Sequence, residues 1–404
     1  MASSKSSALK VGDLIEVSIE KVAHGGHFIA RHNGAVIFVR HAIPGEKCIV
    51  EITSTGSSFN RGDVVEVINQ SEHRVTAPCV FSHRAGCGGC DFQHIDPHYQ
   101  RVLKSDVIKE QFERIAKKNI EIEVEEVSNS LRWRTRAIAT TNSKGKLGFY
   151  KSRSHKVVPI TDCLICVDAL GIKDLAESQL KGDVRIEISA SNKGERTIAL
   201  APTRGESKTQ IVEGSEVLHE NVLSKELEVS QSSFWQSNER APELLTNIVL
   251  EFAALRNGDH VLDLYGGVGL FTSAMIDVVG ESGHIDLIEG SKVATADAGR
   301  NFSKYSNVTI ATGDVAKLLP RISSADVVVL DPPRDGAGRE AIAHISRLHP
   351  RSIVYVACDP AALARDTNYL ADHSYSLVKM RAFDLFPMTH HIECVALYER
   401  AEVS

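Results

Sequence analysis

The spacing of apolar residues changes twice along the chain, and each change marks a different kind of element. Over residues 8–70, short runs at 14–19, 35–39, 47–52 and 62–67 alternate apolar and polar positions, with Gly25-Gly26, Asn33-Gly34 and Pro44-Gly45 as turns between them. Period-two alternation gives each run one buried face, and strands this short and closely spaced predict a small OB-like β-barrel. Over residues 71–229 the pattern is mixed α+β. Val102, Val107, Ile108, Phe112 and Ile115 fall at helical spacing within 100–118, and strand-like runs follow at 136–141, 184–189 and 197–200. Over residues 230–404, continuous apolar runs at 261–264, 285–288, 308–310, 326–330 and 353–357 alternate with helical stretches. Runs without alternation are buried on both faces, so this third part predicts a doubly wound α/β domain with a parallel sheet.

In such sheets ligands collect at the carboxyl ends of the strands, and those ends carry chemistry here. Strand 261–264 leads into Tyr265-Gly266-Gly267-Val268-Gly269, a turn in which Gly267 and Gly269 let the backbone approach a ligand closely. Glu289 closes the next strand, where a carboxylate can accept hydrogen bonds from both ribose hydroxyls of an adenosine. Gly313-Asp314 follows the third strand, where Asp314 can reach an adenine amino group, and Asp331-Pro332-Pro333-Arg334 follows the fourth. A glycine turn with a later acid also suits a nicotinamide dinucleotide. The Asp-Pro-Pro turn, able to wall a substrate pocket beside a sulfonium, favours S-adenosylmethionine.

The fifth strand ends at Cys358-Asp359-Pro360, so that Pro360 stops the strand and presents Cys358 at the rim. Near the end of the chain Glu393 stands just before a last apolar strand. A thiolate that adds to C6 of a uracil makes C5 electron-rich, and a base must later remove the C5 proton so that the thiolate can leave. Cys358 and Glu393 supply those two groups, with Asp384, His390 and His391 as other candidates for the base. His390 and His391 have no partner at metal-ligand spacing.

Asp331-Pro-Pro-Arg334, Cys358-Asp-Pro360 and His391-Ile-Glu393-Cys-Val resemble the three motifs of the RNA uracil-C5 methyltransferases, and Ser233-Phe-Trp-Gln236-Ser-Asn238 matches a further one. The resemblance covers nearly the whole chain. It implies a class I S-adenosylmethionine-dependent methyltransferase domain in which Gln236, Tyr265, Glu289 and Asp331 bind the cofactor, Cys358 is the nucleophile and Glu393 the general base. Leu270 departs from the family pattern, in which some members have an asparagine touching the cofactor. The N-terminal barrel resembles a TRAM domain, an RNA-binding module.

Cys79, Cys87, Cys90 and Cys163 are four thiols able to converge on one centre, with Cys166 as a substitute for Cys163. Spacing alone fits zinc and a [4Fe-4S] cluster equally. The Cys87-Gly-Gly-Cys90 run followed by Gln93-His94 resembles the iron-sulfur site of the ribosomal RNA branch of the family, which implies a [4Fe-4S] cluster that pins the surrounding loop. Together with the barrel it implies ribosomal RNA, in preference to tRNA, as substrate.

Composition refines this picture. A chain of 404 residues exceeds one ordinary core and predicts two or three domains. A hydrophobic fraction of 43% and a charged fraction of 24% are those of a globular protein. The opening MASSKSSALK lacks the apolar run of a secretion signal, and no stretch approaches a membrane span, so a cytoplasmic, monomeric protein without a membrane partner is expected. The net charge of −6 does not mark a nucleic-acid binder. Between Arg132 and Lys156, however, Lys and Arg recur with no Asp or Glu and with Trp133, Phe149 and Tyr150 interleaved, a pattern that fits equally a surface tracking RNA phosphates and stacking on bases and a solvated face of a sheet. The rival readings are a cytosine-C5 or adenine-amino methyltransferase and a non-catalytic RNA-binding assembly factor. The first lacks a cysteine in the fourth-strand turn, the second an aromatic after Pro-Pro, and Cys358 with Glu393 argues against the third.

Overall fold

Alternation in the first strand, Leu14–Ala23, turns Val17 and Ile19 inward, and four further strands repeat this to close a barrel. In the computed structural model, which describes residues 9–202 and 209–400, the others are His27–His32, Ala35–Arg40, Lys47–Ser54 and Asn60–Asn69. The strand His27–His32 was not legible as an apolar run. Only Phe28 and Ala30 point inward, and polar residues occupy the remaining positions.

The helix expected over 100–118 is Pro97–Gln111, followed by a wider turn over Phe112–Ala116. Asp96 sets its start by accepting hydrogen bonds from the backbone N–H groups of His98 and Tyr99, and Pro97 occupies the first turn, where no donor is needed. Leu103, Val107 and Ile108 join the barrel residues and one face of the C-terminal sheet in one apolar core. Lys104 lies on the same helix yet is 1% exposed; its ammonium donates to Asp384 at 2.6 Å and to the Phe386 carbonyl at 3.2 Å.

A six-stranded antiparallel sheet forms the middle of the molecule, in the spatial order Gln210–Glu213, Arg196–Pro202, Val184–Ala190, Arg136–Thr141, Leu147–Tyr150 and Val157–Pro159. The basic stretch divides here. Trp133 is fully buried and packs edge-on against Phe386, so it cannot stack on a base. Arg132 pairs with Asp162 at 2.6 Å, and Arg136 donates to the Ser233 carbonyl. Lys144, Lys146, Arg153 and Lys156 remain exposed. Net local charge hid this difference, because it does not say which way a side chain points.

The third unit is an eight-stranded sheet, ordered Val308–Thr312, His284–Glu289, His260–Leu264, Val327–Leu330, Ser352–Ala357, Glu393–Arg400, Tyr375–Asp384 and Val124–Glu126. The first five are parallel, and Val327–Leu330 and Ser352–Ala357 are buried at every position, as a sheet covered on both faces requires. Glu393–Arg400 runs antiparallel between two neighbours. The edge strand Val124–Glu126 comes from the segment read as central in the sequence, and the helix Pro97–Gln111 packs beside it. Among the described residues no helix is long and apolar enough to cross a membrane.

The Lys104–Asp384 pair joins this helix to the strand that precedes the Glu393 loop. Lys104→Met should leave a buried carboxylate unpaired and lower unfolding free energy by about 3–5 kcal/mol in denaturant titration, with Lys104→Met/Asp384→Leu recovering much of the loss. An unchanged midpoint for the single variant would show that the pair is not holding this seam.

Candidate active site

The turn after His260–Leu264 is built for close approach. Tyr265 and Gly267 both have positive φ, 59° and 57°, and a side chain added at Gly267 would meet only open space. Gly269 differs: a Cβ there would lie 2.1 Å from the Phe302 ring, so this glycine serves packing and only Gly267 leaves room for a ligand. Glu289 caps the cradle, accepting from the backbone N–H groups of Gly267 at 3.1 Å and Ser291 at 2.6 Å.

Four carboxyl groups meet at these strand ends. Asp263, inside the buried strand, accepts from the Thr272 hydroxyl and N–H through one oxygen, and its other oxygen is buried with no partner. Burial pushes its pKa up to about 6. Asp331 is half-buried just past the end of Val327–Leu330, and burial, with Asp263 and Glu289 nearby, lifts its carboxyl toward neutrality. Glu393 is 4% exposed and is raised well above the carboxylate range, first by burial and then by Asp331. Among the described residues none of the four forms an ion pair with Lys, Arg or His within 4.0 Å.

The last strand brings in the thiol. Ala357 is paired with Cys394 in an antiparallel register, and continuing that register by one residue sets Cys358 opposite Glu393. Directly opposed antiparallel residues have Cα atoms about 4.5–5.5 Å apart, so the two side chains are neighbours. Burial, Glu393 and Asp331 push the Cys358 thiol up to about 12, against the opposite pull of Arg334. Arg334 Nη2 lies 3.4 Å from both ring nitrogens of His391. Burial, with His390 and Arg334 adding to it, holds that imidazole down to about 3, so it stays neutral.

The loop before Glu393 is held from several sides. Met388 adopts a φ of 67°, its N–H donates to the Gln100 side chain, and its carbonyl accepts from Phe92. The Asn238 amide donates to the Leu385 carbonyl, and His390 meets Asp91 at 2.6 Å. Gln236, two residues before Asn238, is buried with no side-chain hydrogen bond among the described residues. Tyr265 is raised to about 12 by burial, with Asp314 nearby. Asp314 is exposed and caps the short helix Val315–Leu318 through the Lys317 N–H.

The structure therefore gathers Tyr265, Gly267, Glu289, Asp331, Cys358 and Glu393 at one end of the sheet, with Asp314 at its margin, and among the described residues Gln236 makes no side-chain hydrogen bond with any of them. Sequence reasoning missed Asp263, although a lone acid within an otherwise apolar strand was its signal. It also missed Gln100, Lys104 and Asp91, which no local pattern marks.

Cys79, Cys87, Cys90, Cys163 and Cys166 line one cleft of about 520 Å³ beside the central sheet. Burial pushes Cys87 up to about 11, whereas a hydrogen bond from Cys166 lowers Cys163. The Cys79 N–H donates to Gln93 at 3.0 Å. Among the described residues no three His, Cys, Asp or Glu are gathered so as to hold a single metal ion.

Comparison with known proteins agrees with this geometry. The tRNA (uracil-5-)-methyltransferase family model matches residues 319–401, the TRAM domain model residues 8–65, and the protein-L-isoaspartate O-methyltransferase model residues 227–331. An uncharacterized RNA methyltransferase of Streptomyces coelicolor is 38% identical, over 97% of this chain and 94% of its own. One of Corynebacterium efficiens is 35% identical, over 97% and 96%. The chain belongs to the uracil-5 RNA methyltransferase family. The solved Pyrococcus abyssi tRNA (uracil-54, C5)-methyltransferase, in complex with S-adenosyl-L-homocysteine, shares the fold of this family member with a TM-score of 0.73. It is 21% identical, and the alignment covers 95% of this chain and 100% of that one. The expected class I domain and TRAM barrel are thus both present in this RNA methyltransferase.

The crowded carboxyls give a pH test on cofactor-free protein. Asp331 is raised from 3.8 to about 7 in the fold, so its contribution to stability is full below pH 3.8 and is lost as pH rises toward 7. Asp331→Asn lacks that loss, so its melting temperature should gain on the wild type across this window. A constant difference between the two proteins from pH 4 to 7 would contradict the raised carboxyl.

Proposed function

We propose that this methyltransferase modifies C5 of a uridine in ribosomal RNA through a covalent adduct between Cys358 and C6 of the base. The observation that carries the reading is the opposition of Cys358 and Glu393 across adjacent strands, beside Asp331, at the end of the sheet where the glycine turn lies. S-adenosylmethionine, when bound, supplies an electrophilic methyl group on a sulfonium. Gly267 would give it backbone clearance, Glu289 would accept from its ribose hydroxyls, Gln236, Tyr265 and Asp331 would contact it, and Asp314 would hold its adenine. A cationic donor also suits four carboxyl groups that have no cation of their own.

The reaction then assigns each side chain a task. Cys358 gives up its proton to bulk water, and its sulfur bonds to C6 while the C5–C6 π electrons move toward C5 and the O4 carbonyl. C5 takes the methyl group, and the donor is left as a neutral thioether. Glu393 removes the C5 proton, and the electrons of that C–H bond re-form the C5–C6 double bond as the Sγ–C6 bond breaks. Arg334, which opposes the upward shift of the thiol, favours the thiolate at the start and end of the cycle. A paired uridine cannot present both ring carbons to these groups, so the base is flipped out of its stack.

The sequence resemblance implies a [4Fe-4S] cluster, and Cys79, Cys87, Cys90 and Cys163, which line one cleft, would hold it. Cys166 supports Cys163 by donating to its sulfur. Barrel and cysteines together favour ribosomal RNA by resemblance, whereas the likeness to a solved tRNA enzyme favours tRNA. Mapping 5-methyluridine by mass spectrometry in both RNAs from a deletion strain separates these, with loss in ribosomal RNA expected.

RNA carrying 5-fluorouridine has no removable C5 proton, so it should trap a stable protein–RNA adduct that requires the methyl donor and is absent in Cys358→Ala. Methylation of ordinary RNA without any trapped adduct would refute the covalent route.

A further inference from the structure

The barrel touches both loops of the proposed catalytic site through one hairpin. Between the first two barrel strands the chain runs Ala23-His24-Gly25-Gly26-His27, with φ of 89° and 78° at the two glycines. His24 Nε2 lies 3.1 Å from Asp359 Oδ2. The other oxygen of Asp359 accepts from the backbone N–H groups of Ala361 and Ala362, both at 2.9 Å, and so caps the helix Pro360–Ala371. Asp359 is thereby fixed on one side by its own helix and on the other by the barrel, and Cys358 is the next residue back along the chain.

Gly26 meets the second loop. A Cβ at this buried position would lie 2.8–3.0 Å from the ring of His390, three residues before Glu393. His390 in turn bonds Asp91 at 2.6 Å. The hairpin is also locked from outside. His27 Nδ1 donates to the Gly25 carbonyl at 2.8 Å, which leaves Nε2 to accept at 3.0 Å from Arg153, in the turn between the central-sheet strands Leu147–Tyr150 and Val157–Pro159. A barrel that served only to bind RNA would have no need to seat a turn against the loops bearing the nucleophile and the base.

We propose that the hairpin formed by residues 24–27 is a wall of the catalytic site, and that His24 is a positioning residue that fixes the loop carrying Cys358. This rests on the reading of Cys358 as nucleophile. The His24–Asp359 contact is partly exposed, with side chains 38% and 21% accessible, so it adds little to global stability. Its effect is on placement, where a small displacement of a reacting group is costly.

The test uses the full-length enzyme with total RNA from a strain lacking the gene, and measures kcat, the KM for RNA and the melting temperature. His24→Ala should lower kcat by about tenfold. The KM should stay within about twofold and the melting temperature unchanged. His24→Gln, whose amide can still donate to Asp359, should restore most of the turnover. Gly26→Ala, which crowds His390, should lower kcat in the same way. An unchanged kcat in His24→Ala overturns the proposal, as does His24→Gln performing no better than His24→Ala. A raised KM with normal kcat also overturns it, making the hairpin an RNA contact instead. Full activity in Cys358→Ala would instead sink the underlying reading, so the two failures are distinct.

Discussion

The insertion of one antiparallel strand governs the rest of this site. Glu393–Arg400 lies between Ser352–Ala357 and Tyr375–Asp384, and its register sets the residue after one strand opposite the first residue of the other. A shift of one residue would turn Glu393 to the other face of the sheet and take it away from Cys358. That register is held by the apolar pairing of Tyr355 with Ala396 and Val356 with Val395, all fully buried, and by the several contacts that fix the loop around Met388. The chemistry therefore depends on ordinary core packing several residues away.

The electrostatics follow from the same placement. Burial raises both Asp331 and Glu393, with Asp263 and Glu289 adding to the first and Asp331 to the second, and burial with both carboxyls raises Cys358. Such a site favours neutral side chains until positive charge enters it. A cationic donor lowers the cost of ionising the carboxyls, and a protonated thiol with a neutral carboxyl gives little reaction before that happens. In this account the cofactor and the thiol are linked through charge, so the nucleophile is activated when a methyl group is available for transfer.

Much of this was legible in the sequence because the relevant signals are local. Continuous apolar runs gave the parallel strands, the glycine turn and the acids marked residues that do meet at the strand ends, and Pro360 after Cys358 marked the end of a strand. What was not legible depends on distant pairs. Lys104 with Asp384 and Gln100 with Met388 are more than 250 residues apart in the chain. Trp133 sits in a basic stretch yet is buried, because local charge does not fix the direction of its side chain. Strand His27–His32 was missed because a barrel strand with only two inward apolar residues carries a weak period. The extra edge strand Val124–Glu126 is three residues long, too short to show any period at all.

The central claim is that Cys358 and Glu393 act in sequence on one uridine, and the fate of the C5 hydrogen tests it most directly. RNA labelled with tritium at C5 of uridine should release one tritium for each methyl group transferred by the wild type. With Glu393→Gln, methyl transfer in a single turnover should run well ahead of tritium release, leaving methylated, tritiated RNA bound to the protein. Equal rates of methyl transfer and tritium release in that variant would contradict the account, since another group would then be removing the proton.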